Sequence, residues 1–355
     1  MEMASDPQLT LHLIPTGASL LDAFGKLNAL PSGASMTLVA IDKSGRVAGT
    51  ITDGDLRRAL LAKVPLTATV DSAMRRGFES VGPGDDYVER LRVLRLRGIR
   101  LVPEVDRDGR PVSLIDLGIT INRLPLSAIL MAGGKGERLR PLTLTTPKPL
   151  LPVGDKAIMD YNLDALARVG VRDVCVSVNY LAEQIEAHLA ERYPDSRSVR
   201  EPFAMGTLGS ASLCGVSGEG STLVMNADLL TTISFEDLFM HHRKTGAAIT
   251  IAAIPYNVSV PYAILDTEGG QVKGLKEKPS YSYYANAGIY IFDNRLLGEL
   301  PPRRRTDAPD FIEEAIAAGE RVSYFPVSGT WIDIGSPADY AHACELMKHI
   351  GPRER

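Results

Sequence analysis

Two rhythms of apolar and polar positions divide the chain. Up to about residue 123, short alternating runs such as "MTLVAIDKSGRVAGTITDGDLRRALL" and "IRLVPEVDRDGRPVSLIDL" read as strand, glycine-containing turn and strand, the first running on into a helix. From Leu124 the pattern becomes strand and helix in alternation. "LSAILMA" predicts a strand, "IMDYNLDALARVG" an amphipathic helix, "VRDVCVSVNY" a strand and "LAEQIEAHLAERY" a second helix, while "STLVMNADLL" and "AAITIAAI" add further strands. Such alternation predicts a doubly wound α/β sheet, whose ligands sit at the carboxyl ends of the strands.

The first half repeats itself. Gly45 and Gly109 lie about 60 residues apart and each belongs to an Asp-x-x-Gly-Arg turn, which predicts a tandem unit whose copies bury their apolar faces on each other. With 355 residues the chain exceeds one ordinary domain. The change of pattern sets the expected domains at 1–122 and 125–350.

Charge and composition then remove whole classes of function. A net charge of -4 and a pI near 5.9 argue against a nucleic-acid partner held through its phosphates. The stretch "MEMASDPQLTLHLIPTG" lacks the basic flank and continuous apolar core of a secretory leader, and no run approaches the roughly 18 apolar residues of a membrane span. A soluble cytoplasmic protein without a membrane partner is expected. Cys175, Cys214 and Cys344 are far apart in sequence and form no CxxC pair, so they are expected to be buried small hydrophobes rather than a disulfide scaffold or zinc site.

The candidate chemistry is concentrated in "ILMAGGKGERLRPLTLTTPKPLLPV", residues 129–153. It is no dinucleotide fingerprint, because Leu139 stands where the third glycine belongs. It is no P-loop either, because Pro141 and Pro147 occupy the place of the helix that should follow. What remains is Gly133, Gly134 and Gly136 offering bare backbone amides after a strand, then Arg138 and Arg140, then Lys148 between Pro147 and Pro149. Glycines let the main chain approach a base or phosphate and form an anion nest. Arginine supplies a fork of donors to phosphate oxygens and lysine a compact charge.

This stretch resembles the signature of the sugar-1-phosphate nucleotidyltransferases, GGxGTRLxPLTxxxPKP, with Glu137 in place of the commoner threonine. The resemblance implies a Rossmann-like mixed-sheet α/β catalytic domain, with Ala132, Gly133, Gly134 and Gly136 at the nucleotide and Arg138 and Lys148 as catalytic charges. "NADLL" and "WIDIGSPADY" match the places of the family's metal-binding aspartates, here Asp228 and Asp333, which implies Mg2+, a cation content with one or two carboxylates plus substrate phosphates. "EPFAMGTLGSASL" implies Gly206 and Thr207 near the nucleotide or sugar. "EKP" implies Glu277 and Lys278, and "NAGIYIF" implies Asn286, at the sugar and its phosphate. Ser336, Pro337 and Asp339 make a helix start that fixes the peptide carrying Asp333.

The amino-terminal repeat resembles a pair of CBS domains, an α+β module that binds adenine nucleotides or serves as a dimerisation platform. In that reading Thr52 and Asp55 contact phosphate and ribose, or else simply cap a helix, and "VDSAMRRGF" opens the second copy. The second copy has Asp116, Leu117, Gly118 and Ile119 where Thr-x-x-Asp would stand, which puts a second nucleotide site in doubt. A homodimer or higher homo-oligomer is expected.

The reaction implied is NTP plus sugar 1-phosphate giving NDP-sugar and pyrophosphate. A phosphate oxygen already ionised attacks the α-phosphorus without a general base. GTP is favoured over UTP, CTP and dTTP, because a CBS-like segment ahead of a transferase half resembles bacterial guanylyltransferases of surface-sugar synthesis, including those acting on glucosamine 1-phosphate. The alternative from another class is a nucleotide-sensing regulator with an inactive transferase half, which the retention of Arg138, Lys148 and both aspartates opposes. No hexapeptide-repeat tail is present, so a fused β-helix with acetyltransferase activity is not expected.

Overall fold

The computed structural model describes residues 7–216 and 218–349. The stretch read for a leader is therefore covered only from Pro7, and Ile350, the last residue of the expected catalytic domain, lies outside the described residues. No helix among the described residues is long and apolar enough to cross a membrane. The chain divides into two units, one of Met1–Arg123 with Arg168–Gly170, the other of Leu124–Ala167 with Val171–Arg355.

The first unit contains α1 (Pro7–His12), β1 (Leu13–Pro15), α2 (Leu20–Asn28), β2 (Thr37–Ile41), β3 (Val47–Thr52), α3 (Asp53–Leu61), α4 (Tyr87–Leu96), β4 (Leu101–Val105) and β5 (Pro111–Asp116). Its repeat is visible in hydrogen bonds. The Asp42 carboxylate accepts the N–H groups of Ser44 (2.8 Å) and Arg46 (3.0 Å), and the Asp106 carboxylate accepts those of Asp108 (2.9 Å) and Arg110 (2.8 Å). Gly45 and Gly109 take φ of +77° and +79°, the left-handed conformation that a side chain would strain. β1 pairs in parallel with β2, and Val81 bridges in parallel to Glu104 of β4, so both copies run strand, helix, hairpin.

The copies differ at their ends. The first continues from β3 into α3, whereas β5 is followed by turns and no helix before β6. In "VDSAMRRGF", Val70 and Met74 pack in the first copy's core with Leu20, Leu38, Ile51 and Leu56. Arg75 pairs through its backbone with Thr50 of β3 (2.8 and 3.0 Å). The segment completes the first copy, and the second opens at Val81.

The second unit contains β6 (Leu126–Met131), β7 (Pro152–Val153), β8 (Lys156–Ala157), α5 (Ile158–Arg168), β9 (Val174–Val178), α6 (Ala182–Arg192), β10 (Arg197–Arg200), β11 (Ser221–Asn226), β12 (Leu229–Thr231), α7 (Phe235–Thr245), β13 (Ile249–Ser259), β14 (Ile264–Glu268), β15 (Gln271–Lys276), β16 (Ser280–Asp293), α8 (Asn294–Gly298), α9 (Ala308–Ala317), β17 (Val322–Pro326), β18 (Trp331–Asp333) and α10 (Pro337–His349). Seven strands form one sheet in the order β10-β9-β6-β11-β16-β13-β17. Only β16 runs against its neighbours, so the sheet is mixed as expected. Strands that are apolar but for one small residue, such as "VCVSV", are buried along their length, as strands covered on both faces must be. One core gathers Ile129, Val224, Ile249, Phe292 and Ile312, and it brings Cys175 and Cys214 together as buried free thiols.

Thr52 and Asp55 form a complete capping box on α3. Asp55 Oδ2 accepts from the Thr52 N–H (2.9 Å) and hydroxyl (2.5 Å), while Oδ1 accepts from Arg75 Nε (2.8 Å) and from Arg58. Every acceptor site of the carboxylate has a protein donor, so the ribose contact implied by the CBS resemblance finds no lone pair at Asp55. Burial pushes the Asp55 carboxyl up, but the Thr52 and arginine hydrogen bonds outweigh it and hold it at about 2. A folded value below the unfolded one stabilises fully above about pH 4 and is lost as pH falls through about 2. Denaturant unfolding followed from pH 5 downward should show the wild type losing about 1–2 kcal/mol more than Asp55→Asn, after allowance for the exposed arginines.

Candidate active site

The two central parallel strands, β6 and β11, end side by side, with Met131 opposite Asn226. The chain leaves β6 into the glycine loop and leaves β11 into Asp228. The loop is not slack. It folds as three 3-10 turns, Glu137–Leu139, Leu142–Leu144 and Lys148–Leu150. The Thr143 hydroxyl donates to the Gly136 carbonyl (2.8 Å), the Tyr180 hydroxyl to the Thr143 carbonyl (3.0 Å), and the Gln184 amide to the Thr145 carbonyl (2.9 Å). Gly136 has φ +59°, and a Cβ there would stand 2.9 Å from Thr143 Cγ2 and 3.1 Å from Lys148 Cβ. A side chain at this position would displace the lysine.

Lys148 is 8 % exposed. Its ammonium forms an ion pair with Asp228 Oδ2 and lies 3.5 Å from Asp333 Oδ1. The aspartates are far apart in sequence yet adjacent in space, because β12 and β18 form an antiparallel ribbon with Leu229 opposite Asp333. A small apolar cluster holds all the pieces. Leu139, Leu230 and Ile334 are buried together with Leu151, Val153 and Ile158, each of the first three within two residues of Arg138, Asp228 or Asp333. Ser336 and Asp339 exchange the expected capping bonds (2.7 and 3.3 Å), which fix the peptide after Asp333.

Burial pushes the Asp228 carboxyl up, Lys148 pulls it down and the charge on Asp333 pushes it up again. Oδ1 of Asp228 is buried without a hydrogen-bond partner. An orphaned carboxylate oxygen beside a second carboxylate is a donor set suited to a hard divalent cation whose other ligands are substrate oxygens and water. No cluster of three or more protein ligands exists among the described residues.

The remaining candidates divide. Arg138 is exposed and lies against Gly335, where a Cβ would stand 2.9 Å from a guanidinium nitrogen. Gly133 is crowded by Glu201, whose Oε1 lies 2.8 Å from the position of a Cβ, whereas nothing lies within 4 Å of one at Gly134. Ala132 is buried and its N–H donates to the Ser177 carbonyl (2.9 Å). Thr207 donates its N–H to Asp307 (3.0 Å), and its hydroxyl accepts from the Ala308 N–H (2.8 Å) at the start of α9. Gly206 (φ +80°) leaves room for Asp307 and Thr306. Asn286 donates to the Tyr290 hydroxyl (2.8 Å) and accepts from the Gly288 N–H (2.9 Å). Glu277 and Lys278 are exposed on the link between β15 and β16, outside the Lys148 cluster.

Two residues escaped the sequence reading. Gly335 makes way for Arg138, and its only signal was its place in "WIDIGSPADY". Glu201 follows β10, where its N–H donates to the Val178 carbonyl (2.9 Å) and its carboxylate accepts the Met205 N–H (3.2 Å). Burial pushes this carboxyl up while the Met205 N–H draws it down.

Known proteins resemble the second unit in sequence and fold. The nucleotidyl transferase family model matches residues 127–349. Mannose-1-phosphate guanylyltransferase catalytic subunit beta of Dictyostelium discoideum is 30% identical over 226 residues, covering 61% of this chain and 62% of that protein. Mannose-1-phosphate guanyltransferase of Schizosaccharomyces pombe is 31% identical over 242 residues, covering 63% and 66%. The chain thus spans less than two thirds of the length of these curated relatives. A solved Bacillus anthracis structure, assigned as a glucose-1-phosphate thymidylyltransferase in complex with a sucrose, shares the fold with a TM-score of 0.52 and 22% identity, covering 64% of this chain and 98% of that one.

Replacing Lys148 by alanine leaves two adjacent carboxylates without their ammonium. The expected loss is about 3 kcal/mol in denaturant unfolding, the scale of breaking a buried pair. Added Mg2+ should restore part of that loss in the variant, and no restoration would count against a cation site at Asp228 and Asp333.

Proposed function

The chain belongs to the nucleotidyl transferase family, and from that premise we propose that it transfers GMP from GTP to a sugar 1-phosphate, releasing pyrophosphate and forming a GDP-sugar. The observation that carries this reading is the Lys148 ammonium held against Asp228 and Asp333 beside the glycine loop. An ionised oxygen of the sugar phosphate attacks the α-phosphorus, forming one P–O bond as the bond to pyrophosphate breaks, and no side chain has to take a proton. Lys148 offsets the charge of the converging phosphates, and Arg138, exposed at the rim, holds the leaving pyrophosphate. Asp228 and Asp333 would hold Mg2+, which would supply Lewis-acid neutralisation of phosphate oxygens. The glycine amides cradle the nucleotide, and Gly206, Thr207, Asn286, Glu277 and Lys278 border the sugar side.

Glu201 favours guanine. Its carboxylate sits beneath Gly133 at the ends of β6, β9 and β10. The Watson–Crick edge of guanine offers two adjacent N–H donors, which suit two carboxylate oxygens. Uracil, thymine and cytosine offer no such pair. Mannose 1-phosphate is the first acceptor to test, from the names of the relatives, and glucosamine 1-phosphate the second.

The first unit acts as a CBS-type module with one anionic ligand, an adenine nucleotide. A cavity of about 680 Å³ is lined by Gly54, Phe78, Arg75, Arg97 and Arg100, with the carboxylates of Asp53 and Glu79 beside them and Arg97 paired with Glu79 (2.6 Å). These offer the start of α3, three guanidiniums and an aromatic face, a set that outnumbers the two carboxylates and suits phosphate and base without Thr52 or Asp55. The same unit makes the protein a homodimer. Calorimetric titration of ATP and AMP into the full chain should give binding that Arg97→Ala weakens by about tenfold or more. Absence of binding would leave the unit a structural or dimerising role.

Pyrophosphate release should be read with each NTP against both sugar phosphates. GTP should be the best donor, Asp228→Ala should abolish turnover while the circular dichroism is kept, and Lys148→Ala should lose about two orders of magnitude in kcat. Glu201→Gln should shrink the preference for GTP over ITP, which lacks the exocyclic amine, by about tenfold or more. A wild-type preference for UTP would overturn the guanylyl reading, whereas an unchanged GTP/ITP ratio in Glu201→Gln would remove only the role of Glu201.

A further inference from the structure

Cys175 and Cys214 lie outside the phosphate-transfer machinery, yet the fold brings them together. Cys175 is in β9 and Cys214 ends the 3-10 turns of Gly209–Leu213. Their sulfur atoms are 2.8 Å apart, against about 2.0 Å for a covalent S–S bond. Both side chains are wholly buried in the apolar core around Ile129, Leu208 and Val224. The Cys214 thiol also donates to the Ser210 carbonyl (3.5 Å). Forming a disulfide there would remove both thiol hydrogens and bring the two sulfurs about 0.8 Å closer.

We propose that Cys175 and Cys214 are a dithiol that closes into an intrachain disulfide when a small-molecule disulfide, such as oxidised glutathione, is present. The bond ties β9 to the segment that follows Gly206 and Thr207. The contact between the two sulfurs lowers the Cys175 thiol and raises that of Cys214, and the first attack is assigned to Cys175. The Cys175 thiolate attacks one sulfur of the oxidant, forming a mixed disulfide and releasing one reduced thiol. Cys214 then attacks the Cys175 sulfur and releases the second. Two S–H groups are lost, one S–S bond is gained, and the oxidant leaves as two thiols.

Access comes through the short 3-10 segment rather than through the sheet. Gly215 and residues 218–220, which follow Cys214, are exposed, and a 3-10 turn is held by weaker hydrogen bonds than an α-helix. Cys344 stands apart in α10, partly exposed. Replacing it leaves only Cys175 and Cys214.

The test uses the full-length Cys344→Ser chain, incubated with oxidised glutathione in buffer and again in urea below the unfolding transition, then alkylated under denaturing conditions and weighed. The expected product is lighter than the reduced chain by two hydrogen atoms, carries no alkyl group, and gives a cross-linked tryptic peptide joining Cys175 and Cys214. Adding Cys214→Ser should stop the reaction at its first step and leave a glutathione adduct on Cys175. Two alkylated cysteines under both conditions, or stable glutathione on either cysteine when both are present, would overturn the proposal. An adduct on Cys214 rather than Cys175 in the corresponding single-cysteine chains would overturn the order of attack.

Discussion

A single ammonium group, that of Lys148, orders the candidate active site. Two carboxylates delivered by separate strands, at Asp228 and Asp333, would repel each other across a partly dry cleft, and the lysine makes their approach favourable. It needs a fixed origin to do so. Pro147 and Pro149 restrict its backbone, and Gly136 makes room for its Cβ. The apolar cluster of Leu139, Leu230 and Ile334 then sets the spacing of the three chain segments. The positioning is done by packing, which is short-ranged and stiff, while the charges contribute direction and reactivity.

Much of this was legible in the sequence, for a physical reason. The glycine loop compresses its constraints into one contiguous stretch: a strand, residues able to adopt unusual backbone angles, and basic side chains locked by proline. Local rules read such a segment well. The strands and helices of the second unit were legible too, since their apolar periods are long and clear, and "VRDVCVSVNY" and "IMDYNLDALARVG" became β9 and α5. Glu201 and Gly335 were not. Their importance lies in meeting Gly133 and Arg138 across long stretches of chain, and neither has a local pattern that announces it. The same limit applies to Thr207 and Asn286. Chain order marked them for ligand contact, but only tertiary hydrogen bonds reveal how much of their polar capacity α9, Gly288 and Tyr290 already take.

The first unit shows what a repeat does and does not conserve. The Asp-x-x-Gly-Arg turns match in hydrogen bonding, because an aspartate acceptor at the start and a glycine at positive φ suit so tight a reversal. Beyond the hairpins the copies part. Thr52 starts a helix with a full capping box, whereas Asp116 accepts the Gly118 N–H (2.8 Å) and the chain turns away without one. Only the first copy therefore offers a helix start beside the arginine-lined cavity, and the asymmetry follows from the residues at the ends of β3 and β5.

The ion pair at Lys148 also explains the order in which charges assemble in the proposed reaction. With one ammonium between two carboxylates, the cluster is net negative, and a triphosphate approaching it alone meets repulsion. Oδ1 of Asp228 stays buried and unpartnered, a cost the fold carries in the resting protein. A divalent cation at that oxygen would relieve the cost and reverse the sign of the cluster, so that in the proposed reaction cation and polyphosphate would each favour the other's binding. On the proposed function, the stability sacrificed at Asp228 and the affinity for a metal-bound nucleotide would be two expressions of one unsatisfied oxygen.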